Sequence, residues 1–209
     1  MKKYMDKFKR NIKINKNLFV FLLCLTIVGF VSGALFSVIL NADDRTLVNE
    51  YLNNFFTNVR NNKLDYSNSI TNAFVFNFGC AIVIWLLGLS IIGFFIALFI
   101  LFLKGFVIGF SVGSIISLFK IKGIILALVY IFPHHIFNIL TFMLLVAYSL
   151  LVSYKIFCSL KNKKIIDFKI LMRKYCSILI ISLITFCMTS VYEIYGVPKV
   201  LAFILALLK

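Results

Sequence analysis

Long stretches without a charged side chain constrain this chain more than any other feature. The longest covers residues 66–103, and three others cover residues 18–40, 124–152 and 175–192. About 20 apolar residues suffice for a helix to cross a bilayer. Hydrophobic residues make up 62% of the chain, against about 45–50% in soluble domains. The sequence therefore predicts an all-α, polytopic integral membrane protein with about five transmembrane helices in a single domain, residues 1–209.

Basic residues cluster at two places, and this clustering predicts how the chain is oriented in the membrane. Of the 22 Lys and Arg residues, seven lie before residue 17 and seven more lie between Lys155 and Lys174. Lys and Arg are enriched in cytoplasmic loops. Four of the five predicted crossings separate the two clusters, so from a cytoplasmic N-terminus both lie inside. The membrane topology thus accounts for the net charge of +15, and no nucleic-acid partner is predicted.

The 38-residue uncharged stretch at residues 66–103 is too long for one crossing. A straight helix of that length would measure about 57 Å, nearly twice the thickness of the hydrocarbon core, which is about 30 Å. The stretch must therefore contain a turn. Gly88, Ser90 and Gly93 mark the predicted break.

The predicted topology has five spans, one large outer loop, one cytoplasmic loop and an outer tail. After the fifth span, Gly196 and Pro198 are predicted to break the helix. The apolar residues 200–208 that follow are too few to cross a bilayer, so the tail is predicted to be interfacial or re-entrant. The spans are residues 18–40, 70–92, 99–119, 133–153 and 175–192, with the outer loop at 41–69, the cytoplasmic loop at 154–174 and the tail at 193–209.

A row of small residues marks the predicted third span. Gly105, Gly109 and Gly113 recur every four residues, and Ser117 continues the row. Residues four apart lie on one face of a helix, and membrane helices associate by close backbone approach over small residues. The row predicts a seam against which other spans pack. The alternative is that these glycines only permit a bent or thin helix.

The outer loop contains an amphipathic pattern at helical spacing. Tyr51, Leu52, Phe55 and Phe56 belong to its apolar half, and polar residues occupy the other half. One interpretation is a helix that rests on the outer leaflet or caps the bundle. The functional hypothesis is that these four residues form a docking face for an extracytoplasmic partner.

A polar cluster opens the predicted fourth span. Pro133 fits the first turn of a helix, where its missing N–H is harmless, so residues 124–132 are predicted to form a short outer or re-entrant helix. His134, His135 and Asn138 then lie in the first turns of the span. Their predicted role is interhelical hydrogen bonding that fixes a kinked span. Contact with a ligand or a partner is the alternative.

No pattern in the sequence favours catalysis. A zinc protease requires an HExxH motif, whereas the two histidines here are adjacent. Glycoside hydrolysis typically uses two carboxylates at controlled separation, and Asp43, Asp44, Glu50 and Asp65 lie on one short loop without a predicted cleft. The five cysteines are scattered and form no CxxC motif. We therefore predict no enzymatic activity, no metal site and no cofactor.

Lys104 lies within the predicted third span. Because no acidic residue lies in any predicted span to pair with it, its side chain is expected to snorkel to the cytoplasmic interface. A lysine at membrane depth and a proline-broken helix also leave open a transporter or permease subunit, since transporters use broken helices at their binding sites.

Three stretches carry a resemblance to a known family. The long outer loop, the stretches Trp85 to Gly93 and Lys104 to Gly113, and the span that begins Pro-His resemble stage II sporulation protein M. The resemblance implies an endospore former, five spans and a role in engulfment. It also implies action with two cell-wall hydrolases, sporulation proteins D and P, at the septum, and no catalytic activity of its own.

The residues and the resemblance together predict a non-enzymatic membrane scaffold. It would localise and anchor peptidoglycan hydrolases at the sporulation septum during engulfment, as a multi-pass protein of the mother-cell membrane. Its predicted partners are membrane lipid and the extracytoplasmic hydrolases. The alternative function is that of a transporter or permease subunit.

Overall fold

The computed structural model describes residues 16–61, 66–162 and 167–207. The basic segment before residue 16 and Asp65, which enter the sequence predictions, lie outside these residues. The described chain is helical and contains no strand, which confirms the predicted all-α class. Its helices are α1 (Lys16–Ile39), α2 (Ala42–Arg60), α3 (Tyr66–Leu87), α4 (Gly93–Tyr130), α5 (Phe132–Asn162) and α6 (Phe168–Val191), followed by a π-helical turn (Tyr192–Gly196) and α7 (Val197–Leu207).

Several of these helices match a membrane in length and composition. Four helical stretches are long and apolar enough to cross a bilayer, and α3 adds a shorter apolar stretch, Phe74–Leu87. Many large apolar side chains remain exposed on the outside of the bundle, as expected where lipid and not water surrounds them. The chain is a polytopic membrane protein. The four long stretches are Lys16–Ile39, Gly93–Val129, Phe132–Lys161 and Phe168–Ile204.

The turn between α3 and α4 occupies residues 88–92, where the sequence predicts the break. The last carbonyl groups of a helix have no partner within that helix. Here, neighbouring helices supply donors. The Tyr175 hydroxyl donates to the Trp85 carbonyl at 2.9 Å, and the Ser153 hydroxyl donates to the Ser90 carbonyl at 2.8 Å. The turn is therefore anchored to both α5 and α6.

Helix α4 reverses direction at Lys120. The backbone there has φ 51° and ψ −126°, a left-handed φ that non-glycine residues rarely adopt. The segment after Lys120 folds back onto the preceding turn. Gly123 comes so close to it that an added methyl group would lie 2.9 Å from the Ile116 Cα. Leu126 is 2% exposed in the resulting contact. A separate helical segment that ends at Tyr130 is therefore present where a short helix was predicted at residues 124–132, and its outer or re-entrant placement stays a prediction.

The helix break predicted at Gly196 and Pro198 is wrong. The chain stays helical through the π-helical turn, and the Val197 N–H donates to the Tyr192 carbonyl, five residues earlier. Pro198 lies in the first turn of α7, a position where the missing N–H of proline does little harm. Leu201 of α7 is fully buried, so the tail packs into the bundle.

The apolar core has two parts. One lies among α1, α3, α4, α5 and α6, and it contains the fully buried Phe186 and Met143. The other lies at the α2 end of the bundle, where α2, both parts of α4 and α7 meet around Ile115 and Leu201. The second part places α2 firmly on the end of the bundle.

Candidate functional site

The predicted glycine seam lies against α1. A methyl group added to Gly105 would come within 2.5 Å of the Thr26 carbonyl oxygen, and one added to Gly109 would overlap the carbonyl of Phe30. One added to Gly113 would overlap the Ser37 hydroxyl. At Gly105 and Gly109 the clash is with backbone, so no side chain fits there, whereas at Gly113 the nearest atom belongs to a serine side chain that can rotate. Ser117 is exposed, so the seam ends before it.

Helix α1 contributes glycines of its own, which the sequence analysis did not single out. Added methyl groups at Gly29 and Gly33 would overlap the carbonyls of Phe102 and Phe106 on α4. The signal was present, because these two glycines have the same four-residue spacing as those of α4. Both α1 and α4 therefore have glycine, and no side chain, at the positions where their backbones meet. Packing of this kind substitutes for the hydrophobic effect between helices in lipid.

Lys104 was expected to snorkel to the membrane interface, but its side chain is held inside the bundle. It lies 11 residues after Gly93, the first residue of α4, or about 16 Å along the helix axis. Its Nζ donates to Asn77 Oδ1 at 3.0 Å and lies 4.0 Å and 4.5 Å from the ring centroids of Phe76 and Phe142. A neutral amide and two aromatic faces thus replace water around the ammonium group.

Lys104 borders a cleft of about 490 Å³. Most of the cleft wall is apolar, and five polar side chains reach it from four elements of the fold. The sequence analysis missed two of them. Asn77 stands between two phenylalanines of an apolar stretch, which is the one local signal it carries. Glu193 is the first residue of the predicted outer tail. The polar residues are Asn77, Lys104, His135, Asn138 and Glu193.

Glu193 reaches the cleft from the π-helical turn. Such single turns inside α-helices occur frequently at functional sites. His134 is 2% exposed, and its Nε2 lies 3.9 Å from Glu193 Oε1. The adjacent ring of His135, with its centroid 4.2 Å from that of His134, faces the cleft. His134 thus lies against Glu193, whereas His135 lines the cleft.

Asn138 makes the kind of interhelical hydrogen bond that the sequence predicts for this cluster. Its Oδ1 accepts a hydrogen bond from Thr189 Oγ1 of α6 at 2.5 Å, and the same hydroxyl is 3.1 Å from the Phe186 carbonyl oxygen. Pro133 lies half-buried as the second residue of α5. The polar cluster therefore joins α5 to α6 on one side and borders the cleft on the other.

The four residues of the predicted docking face do not share one environment. Phe56 is 6% exposed, and its ring packs edge-on against Phe119 at a centroid distance of 4.9 Å. Leu52 and Phe55 are half-buried against the same cluster. Only Tyr51 faces outward, with 73% of its surface exposed. Phe56 is thus part of the intramolecular core and is not accessible to a partner, because α2 caps the bundle.

A protein metal site needs several His, Cys, Asp or Glu side chains close together. Within residues 16–61, 66–162 and 167–207, no group of three or more His, Cys, Asp or Glu side chains converges closely enough. The five cysteines are free thiols.

Comparison with protein families gives a match to stage II sporulation protein M over residues 18–198. The match covers α1 to the start of α7, and therefore both the glycine seam and the cleft. No curated protein and no solved structure matches the chain.

Proposed function

The chain belongs to the stage II sporulation protein M family, and from that premise we propose that it is a non-enzymatic membrane scaffold. It is a sporulation-related membrane protein. In the proposed role it holds extracytoplasmic cell-wall hydrolases, of the kind called sporulation proteins D and P, at the septum. There the hydrolases remodel peptidoglycan during engulfment of the forespore by the mother-cell membrane.

The observation that carries the proposal is the attachment of α2 to the end of the bundle. Phe56 and Val59, which are 6% and 1% exposed, fix one side of α2 in the core. Towards the other edge of the apolar half of α2, Leu47 and Tyr51 are 64% and 73% exposed. These two residues are one helical turn apart, so they form one apolar strip. A rigid helix with such a strip is suited to hold a protein outside the membrane.

The acidic residues of α2 support the absence of hydrolase activity. Asp43, Asp44 and Glu50 are all exposed, whereas a glycosidase needs one carboxyl whose pKa is raised by an apolar environment. Among the described side chains that line the cleft between α3 and α5, Glu193 is the one carboxylate. Two carboxylates therefore do not face each other at this site.

The test is localisation and capture in sporulating cells. The full-length protein carries an epitope tag, and the hydrolases that co-purify with it are quantified. We expect septal localisation for the wild type. In the Leu47→Glu/Tyr51→Glu variant, we expect at least a tenfold loss of co-purified hydrolase while localisation is retained.

The matched control is Asn53→Glu, which adds a negative charge to α2 at an exposed position away from the Leu47–Tyr51 strip. It should retain capture. If the double variant captures as much hydrolase as the wild type, the strip is not the docking surface. If the wild type captures none and is spread around the whole cell membrane, the scaffold proposal is wrong.

A further inference from the structure

A basic and an acidic side chain border the cleft without a direct contact between them. In the described part of the chain, Asn77 is the hydrogen-bond acceptor for Lys104 Nζ, and His134 Nε2 lies 3.9 Å from Glu193 Oε1. No ion pair within 4.0 Å joins Lys104 to Glu193, although both line the same cleft. The ammonium group has three N–H donors, and Asn77 is the one hydrogen-bond acceptor within reach of them in the described part of the chain.

Such charges are costly in a membrane, and they generally mark functional sites. A purely structural role would be served by a direct contact between the two groups, because a bare charge in hydrocarbon is unfavourable. The groups instead face the space between them. That space is the size of a ligand site, since such pockets measure about 300–1,000 Å³ and are mostly apolar with few polar groups.

The mouth of the cleft faces lipid. Val75, Phe76 and Val107 line it and are 64%, 57% and 50% exposed, and all three lie on apolar helical stretches, Phe74–Leu87 and Gly93–Val129. A ligand that enters sideways must therefore have a hydrocarbon part. Its polar part must offer an acceptor to Lys104 and a donor to Glu193.

We propose that this cleft is a binding site for a phospholipid with a zwitterionic, primary-amine headgroup, of the phosphatidylethanolamine type. The phosphate accepts hydrogen bonds from Lys104, since lysine is a common phosphate ligand. The headgroup ammonium donates to Glu193, and the acyl chains lie along the apolar mouth. This inference does not depend on the proposed scaffold role, because it concerns a different surface of the molecule.

The test measures lipid retention by the purified full-length protein. The protein is reconstituted with equal amounts of phosphatidylethanolamine, phosphatidylcholine and phosphatidylglycerol, extracted, and analysed by native mass spectrometry. We expect about one retained lipid per chain, with at least a tenfold preference for phosphatidylethanolamine. Phosphatidylcholine has no N–H to donate to Glu193, and phosphatidylglycerol has no cation.

Variants assign the two contacts. Lys104→Gln and Glu193→Gln should each reduce the retained phosphatidylethanolamine at least tenfold. Lys155→Gln removes one positive charge from an exposed position of α5 and should retain the lipid. If the Lys104→Gln and Glu193→Gln variants retain as much phosphatidylethanolamine as the wild type, the proposal is overturned. An equal preference of the wild type for all three lipids would overturn it as well.

A wild-type measurement keeps the test valid if a variant does not fold. Glycerophosphoethanolamine carries the same headgroup without acyl chains. We expect it to compete at least a hundredfold less effectively than the lipid. Equally effective competition would show that the cleft takes a soluble zwitterion, and the lipid assignment would be wrong.

Discussion

The glycine seam and the polar cleft lie side by side on α4, yet they hold the bundle together in opposite ways. At the seam, Gly105 and Gly109 bring two backbones together by having no side chain. At the cleft, Lys104 carries a long charged side chain that is held by Asn77 of α3. The seam depends on shape, and the cleft depends on hydrogen bonding. In lipid, where burial of apolar surface drives little, both are expected means of association.

The strongest test of the seam is Gly109→Leu. The added side chain would collide with the Phe30 carbonyl, which belongs to a helix backbone and cannot rotate away. Overpacking typically costs about 1–3 kcal/mol, and a clash with backbone should exceed that range. We expect little monodisperse protein in detergent size-exclusion chromatography.

The control for the seam is Gly79→Leu, because a methyl group added to Gly79 meets nothing within 4 Å. This variant should be purified in wild-type amounts. Similar yields for the two leucine variants would show that α1 and α4 are not packed as closely as described.

The next largest effect is expected at the cleft. Asn77→Leu removes the acceptor for Lys104 Nζ and keeps the side chain nearly the same size. Hydrogen bonds to charged groups contribute about 1.5–3 kcal/mol, so the free energy of unfolding should fall by about that amount. Reversible unfolding in mixed micelles measures it. Asn77→Asp keeps an acceptor for Lys104 and should leave the free energy of unfolding at the wild-type value or raise it. A large loss of stability in Asn77→Asp would contradict the assigned contact.

A smaller effect is expected where Asn138 joins α5 to α6. Thr189→Val removes the hydroxyl that donates to Asn138 Oδ1 without changing the shape of the side chain. Interhelical hydrogen bonds in membranes average about 0.6 kcal/mol, with a maximum of about 1.7. The control is Thr185→Val, because the Thr185 hydroxyl bonds only to the Ile181 carbonyl of its own helix. Equal losses of stability in the two variants would show that the interhelical bond adds nothing.

The smallest effect tests where the seam ends. Ser117 is exposed, so Ser117→Leu should change the free energy of unfolding by less than about 0.5 kcal/mol. The same assay applies. A loss comparable to that at Gly109 would place Ser117 within the seam after all.

Features with a local period could be predicted from the sequence. The four-residue spacing of the glycines specifies one helix face, and the turn at residues 88–92 follows from the length of an uncharged stretch compared with the thickness of a bilayer. The cleft could not be predicted in the same way. Asn77 and Lys104 are 27 residues apart, and Glu193 lies near the C-terminus.

The sequence also failed where tertiary contacts override local preference. Gly196 and Pro198 usually end a helix, but here a π-helical turn accommodates them and α7 buries Leu201 in the bundle. Phe56 has the spacing of an exposed apolar face, and its burial depends on the position of Phe119.

The sequence alone determined the class of this protein. Several of its apolar stretches are long enough, as helices, to cross the hydrocarbon core of a bilayer, and such stretches permit few other folds. It also indicated one side of the seam, since a row of small residues favours close approach of helix backbones in lipid. Only the tertiary structure decided which polar groups share a cavity and which face of α2 remains free. Those properties depend on distances between helices, and no spacing along the chain encodes them.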